Sequence, residues 1–184
     1  MGANPGAIPR RYTVGMSATH LVSVAEYLAT SYRPDCDYVD GVVEERNLGE
    51  FDHSRLQALI VATLMQSEKT YGYYTVAEQR VQVKPGRFRI PDVCLIRKVD
   101  REQIITRPPL LCIEILSPED THSRLVTRLD DYLAMGVPEC WVVDPKVRRG
   151  YTYTSAGLLV AQDAILRLHG TTLEVNLSDL FAQL

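Results

Sequence analysis

Three short runs, Val93–Ile96, Leu110–Leu116 and Cys140–Val143, are almost wholly apolar, and a helical repeat separates the second from the third. Strands that are apolar at nearly every position are covered on both faces, whereas alternating strands keep one face in water. A chain of this kind is therefore expected to build a sheet between layers of helix, an α/β arrangement. The intervening helix is expected from about Thr121 to Met135, with Leu125, Leu129, Tyr132 and Leu133 inward. Gly136, with Pro138 just beyond, stops it.

The flanking segments fill in the rest. Ser23-Val-Ala-Glu26 is a capping-box pattern that opens a short helix to about Ala29. Asp40-Gly41 sits between two β-prone runs, Asp37–Val39 and Val42–Glu45, and suits a tight hairpin turn. From about Phe51 to Lys69, Leu56, Leu59, Ile60, Thr63 and Leu64 recur at helical spacing. Tyr73–Val83 and Ile90–Ile96 read as strands around the turn Lys84-Pro-Gly-Arg87. After Asp144-Pro145, a turn former, the pattern weakens into short strands near Tyr151–Tyr153, Leu158–Val160 and Ala164–Leu168, then a short helix over Ser178–Leu184. Residues 1–16 are expected as a loose leader and 17–184 as a single domain, which suits a chain of 184 residues.

Charge and cysteine usage exclude several classes. With 20 Lys+Arg against 23 Asp+Glu the formal charge is −3, which removes the signature of a protein held on nucleic acid by bulk electrostatics. That charge is uneven. Lys84–Arg107 holds seven basic residues (Lys84, Arg87, Arg89, Arg97, Lys98, Arg101, Arg107) against Asp92, Asp100 and Glu102, a local +4, and Lys146, Arg148 and Arg149 form a second cluster. Both are candidates for tracking phosphates. No apolar run approaches the ~20 residues of a membrane span, and the N-terminus lacks an apolar signal core, so a cytoplasmic protein is expected. Cys36, Cys94, Cys112 and Cys140 show no CxxC pair and no zinc-ligand spacing. They read as small buried hydrophobes.

The chemical anomaly is a carboxylate in each of two buried-type strands. Asp92 follows Pro91 at the head of Val93–Ile96, and Glu114 is embedded in Leu110–Leu116. An ionised carboxylate in an apolar strand needs a cation, hydrogen-bond donors or a raised pKa. A divalent ion shared by Asp92 and Glu114 meets that need, since Mg²⁺ binds through one or two carboxylates plus waters and phosphate oxygens. A buried ion pair between Glu114 and an arginine such as Arg128 meets it too. Taking about 100° per residue, Arg128 lies roughly 60° from Leu125, beside the apolar stripe and able to reach the sheet.

These residues, in this order, resemble a known family. An early Asp-Gly hairpin, a long helix starting near His53, Pro91-Asp92-Val, Glu114-Ile-Leu-Ser117-Pro118, a helix ending in Tyr132-x-x-x-Gly-Val-Pro-Glu139, and Trp141-Val-Val-Asp-Pro145 are similar to the Uma family of the PD-(D/E)XK, restriction-endonuclease-like, superfamily. The resemblance covers about Ser23 to Pro145. It implies a restriction-endonuclease-like core: a mixed β-sheet flanked by helices, with an N-terminal helix and hairpin and a short C-terminal β/α tail. It further implies hydrolysis of DNA phosphodiester bonds with Mg²⁺, or Mn²⁺ in its place, held by Asp92 and Glu114. An extra acidic ligand is expected from the early core, with Glu44 ranked ahead of Glu45, Glu50, Asp52 and Glu78. His53 matches the helix-start histidine and is expected to assist at phosphate.

One position departs from the superfamily pattern, which places a lysine two residues after the glutamate, where this chain has Leu116. The matching cation on the following helix is Arg128. Arginine stays protonated, so it can orient water or stabilise phosphate charge but cannot act as a base. The resemblance thus leaves two functions open: a nuclease using Asp92, Glu114, Arg128 and His53, and a nuclease-derived binding protein that does not cut. It also implies a homodimer as the form that cuts both strands.

Overall fold

The computed structural model describes residues 21–46 and 50–184; the expected leader at 1–16 lies outside them. In chain order the elements are α1 (Val24–Ala29), β1 (Cys36–Val39), β2 (Val42–Glu45), α2 (Phe51–Met65), α3 (Glu68–Tyr71), β3 (Tyr73–Ala77), β4 (Val81–Lys84), β5 (Arg87–Arg89), β6 (Val93–Arg97), β7 (Leu111–Ile115), α4 (His122–Met135), β8 (Cys140–Asp144), β9 (Arg149–Thr154), β10 (Gly157–Val160), β11 (Ile165–Arg167), β12 (Glu174–Asn176) and α5 (Leu177–Phe181).

Six strands make one mixed sheet in the order β10-β9-β8-β7-β6-β3, with β7 and β8 parallel and the other neighbours antiparallel. Side chains alternate across it. Leu111, Ile113 and Trp141 meet Leu56, Ile60 and Leu64 of α2 and Leu180 and Phe181 of α5 on one face. On the other, Cys94, Cys112 and Cys140, register partners across β6, β7 and β8, lie under Leu125, Leu129 and Tyr132 of α4. Each such buried aliphatic side chain contributes about 1.5–3 kcal/mol. Glu114 shares the Cys112 parity and so faces α4. That helix is bounded as its sequence dictates: Thr121 Oγ1 accepts from the Arg124 amide, and Gly136 closes the end in the left-handed region at φ +109°.

A second sheet, β2-β1-β5-β4, packs beside the first. Tyr27 of α1, Tyr38 and Phe88 form its small core, and the Tyr27 hydroxyl donates to the Cys36 carbonyl at 2.7 Å.

Three boundaries differ from expectation. Tyr73–Val83 is two strands in different sheets, broken at Glu78, whose φ is +50°. The strand expected from Ile90 starts at Val93, and β5 before it belongs to the second sheet. The helix expected to reach Lys69 ends at Met65, with the separate turn α3 after it. All four cysteines are free and buried. No described helix is long and apolar enough to cross a membrane.

Candidate functional site

Asp92 is held at the head of β6 by three contacts that do not depend on its charge partners. Its Oδ2 accepts from the Ile115 amide at 2.7 Å, which ties it to the end of β7. Its carbonyl accepts from Gln57 Nε2 of α2 at 2.9 Å and from the Glu78 amide at 3.2 Å. The remaining carboxylate oxygen, Oδ1, meets Arg46 Nη2 at 2.7 Å and His53 Nε2 at 3.5 Å.

Glu114, one strand over, accepts from the Tyr132 hydroxyl at 2.8 Å through Oε1. Its Oε2 lies 3.3 Å from Arg128 Nε, yet that N–H makes no hydrogen bond among the described residues. Arg128 donates instead through Nη2 to Asp120 Oδ1 at 3.0 Å. Asp120 Oδ2 caps the Ser117 amide at 2.9 Å, and Ser117 Oγ lies 3.3 Å from His53 Nδ1. A continuous polar ring thus runs from Asp92 through His53, Ser117, Asp120 and Arg128 to Glu114. It encloses a solvent-open cavity of about 180 Å³. Both central carboxylates are only 3% exposed.

Their protonation diverges for a physical reason. Burial opposes ionisation of Asp92, but the His53 hydrogen bond, the Arg46 charge and the Ile115 amide outweigh it and hold its pKa below the ordinary carboxylate range. For Glu114 burial dominates: Arg128 opposes the shift, Asp92 adds to it, and the pKa is pushed up to about 7. Burial alone would push His53 down, yet its hydrogen bond to Asp92 and that residue's charge raise it. Two carboxylates with separated protonation behaviour in one cleft are the pattern found where protons are handled.

The structure brings Asp92, Glu114, Arg128 and His53 into this one cavity. It does not bring Glu44 there. The β1–β2 register sets Glu44 opposite Asp37, and Arg89 takes its carboxylate at 3.0 Å, in an adjoining cavity. Among the described residues no three His, Cys, Asp or Glu side chains converge as a metal cage. Of the other early acids, Glu45 lines that adjoining cavity, Glu50 and Asp52 line a third, and Glu78 lines the main one. Leu116 leaves the site altogether and packs with the α4-side core.

Sequence reasoning passed over Arg46, Asp120 and Tyr132 as partners of the carboxylates. Tyr132 was legible as inward-facing; Arg46 carried no periodic signal. The basic run is also used differently from expectation. Lys84, Arg87, Arg89, Arg97 and Arg107 each meet an Asp or Glu, and Lys98 sits over the Tyr74 ring, so much of its charge is neutralised internally. Asp144 is a turn former, its Oδ1 accepting from the Lys146 and Val147 amides.

Comparisons with known proteins agree with this architecture. A solved structure described as a putative nuclease belonging to DUF820, from Anabaena variabilis, is 21% identical with a TM-score of 0.77, over 88% of this chain and 98% of that one. A DrdV–DNA complex is far less alike, at 16% identity and a TM-score of 0.40 over 69% of this chain and 10% of that one. No curated protein matches. The family model Uma2, described as "Putative restriction endonuclease", matches residues 24–182. With almost all of its described residues inside that match and a restriction-endonuclease-like fold, the chain belongs to the Uma2 family of putative restriction endonucleases.

Proposed function

We propose that this protein is a metal-dependent endonuclease that hydrolyses DNA phosphodiester bonds at the Asp92–Glu114 cavity. The observation that carries the reading is the pair of desolvated carboxylates, from two adjacent strands, lining one solvent-open cavity with Arg46, His53 and Arg128. The donor set fits Mg²⁺, a hard cation that is commonly bound by one or two carboxylates and keeps several waters. Asp92 and Glu114 would hold it, with Glu78 a further acid in the same cavity. When bound there it supplies Lewis-acid polarisation of a phosphoryl oxygen and a lowered pKa for water.

The protein's own residues do the rest. Arg128 stays charged and lines the cavity, with its Nε buried 3.3 Å from Glu114 Oε2 and its Nη2 on Asp120, so its guanidinium charge would stabilise a phosphate bound there. His53, whose pKa is raised by its contact with Asp92, is positioned by Ser117 and in its protonated form can give a proton to a departing oxygen. Tyr132, held protonated by burial and by the Glu114 charge, orients Glu114. Cutting both strands calls for two copies of the chain, which sedimentation with and without DNA measures.

Nicking of supercoiled plasmid is expected with Mg²⁺ or Mn²⁺ and is stopped by a chelator. The sign of its pH dependence follows from Glu114. Its carboxyl is neutral below about 7, and metal must displace that proton, so activity falls by about tenfold per unit as pH drops below that point. A rate profile in the plasmid assay checks both statements. A second reading, a binding protein that does not cut, is favoured by Leu116 and by the Glu114–Arg128 ion pair. Under it, plasmid stays intact with either metal while DNA binding persists, and Arg128→Lys, which restores a titratable amine, gains cleavage.

A further inference from the structure

Arg46 belongs to two cavities at once. It is the first residue after β2 and lines both the Asp92–Glu114 cavity and the adjoining one, of about 180 Å³, whose walls include Asp37, Glu44, Glu45 and Arg124. In the first cavity both central carboxylates already have cationic partners. Arg46 meets Asp92, Arg128 meets Glu114 and Asp120, and His53 shares Asp92. A divalent cation entering that cavity competes for the carboxylate that Arg46 holds. Asp92 cannot yield its other oxygen without giving up the Ile115 amide. Of the two arginines, Arg128 is tied down by two carboxylates, while Arg46 holds one and has a side chain 19% exposed. One acid of the adjoining cavity stands ready to receive it: Asp37 and Glu44 are held by Arg89, but Glu45 is exposed and its side chain accepts no hydrogen bond from a described residue.

From this geometry we infer that Arg46 is a displaceable internal counterion, which occupies Asp92 in place of a divalent metal ion and swings toward Glu45 when the ion binds. The inference rests on the metal-dependent reading of the same site. It explains how a buried aspartate is satisfied in the metal-free protein, since an uncompensated buried charge is strongly destabilising. It also makes metal affinity a competition, set by how firmly the guanidinium is held.

The test is calorimetric titration of the full chain with Mn²⁺ alone, without DNA, for wild type, Arg46→Ala, Arg46→Gln and Asp92→Asn. Arg46→Gln keeps hydrogen-bond donors and polar bulk, so it reports on the charge should Arg46→Ala fold poorly. Both Arg46 variants are expected to bind Mn²⁺ about 10- to 100-fold more tightly than wild type, the worth of a charge-assisted hydrogen bond, at a site that Asp92→Asn removes. Their metal-free melting temperatures fall, and saturating Mn²⁺ raises them further than it raises wild type. Binding equal to or weaker than wild type, at a site still lost in Asp92→Asn, overturns the counterion role and leaves the metal site standing. If no variant shows Mn²⁺ binding that depends on Asp92, the metal reading itself fails and the counterion role fails with it.

Discussion

Asp92→Asn is expected to lower metal-dependent plasmid nicking by at least about 100-fold while leaving the fold intact. Residues that merely support a metal ligand cost 10–100-fold in affinity or activity when removed, so loss of a ligand's charge exceeds about 100-fold. Asparagine keeps the size of the side chain and one carbonyl oxygen. It can still accept from the Ile115 amide, and the backbone bonds from Gln57 and Glu78 are untouched. What disappears is the negative charge that faces Arg46 and His53. Parallel rates and melting curves for the two proteins separate these effects: a rate loss with a retained cooperative melt supports a chemical role. Unchanged nicking in Asp92→Asn contradicts the assignment of the cavity.

The largest stability effect is expected at Arg89. This side chain, 3% exposed, donates to Asp37 at 2.9 Å, Glu44 at 3.0 Å and Asp131 at 2.8 Å, and so fastens the second sheet to α4. Asp37 is itself buried at 4% exposure, and its Oδ1 caps the Ile90 amide at 3.1 Å. Burial raises the Asp37 pKa, with Arg89 opposing that shift. Arg89→Ala removes the opposing charge and leaves a buried carboxylate uncompensated, which costs about 3–5 kcal/mol. For a chain of this size that lowers the melting temperature by on the order of 10 °C. The sign with pH follows: without Arg89, Asp37 takes up a proton more readily in the folded state, so the deficit shrinks as pH falls. Asp37→Asn in the same background is expected to recover part of the loss, and a double-mutant cycle by denaturant melts measures how much. A loss below about 0.5 kcal/mol, typical of surface changes, would contradict the ion-pair network as the fastening. Because Arg46 comes from the second sheet and Arg128 from α4, the same fastening sets the walls of the cavity.

What could be read from the chain and what could not divide along physical lines. α4 was legible because its apolar stripe and stop signal are local, Leu125–Leu129–Tyr132 and Gly136; Thr121, expected as its first residue, is its N-cap. The buried carboxylates were legible because an acid inside an apolar run is anomalous wherever it occurs. The break at Glu78 was not, because a left-handed residue without glycine or proline leaves no local mark between Ala77 and Val81. Nor was the use of the basic run: Arg87 and Arg89 meet Asp131, which is 44 and 42 positions away, so a local charge count reads as a positive patch what the fold turns into ion pairs. Arg46 combines both difficulties. It follows two glutamates at a strand end, and its partner Asp92 is 46 positions distant. Glu44, by contrast, was expected as the extra ligand from the resemblance alone, but its register partner Asp37 brings both acids to Arg89.

The claim that Asp92 and Glu114 jointly hold one divalent ion is tested most directly by diffraction from crystals soaked in Mn²⁺, measured for its anomalous signal. The account predicts one strong peak in contact with both carboxylates, with the Arg46 side chain moved off Asp92 and the peak lost in Asp92→Asn. A protein that nicks plasmid in Mn²⁺ yet shows no peak in this cavity, or shows it elsewhere, would contradict the account.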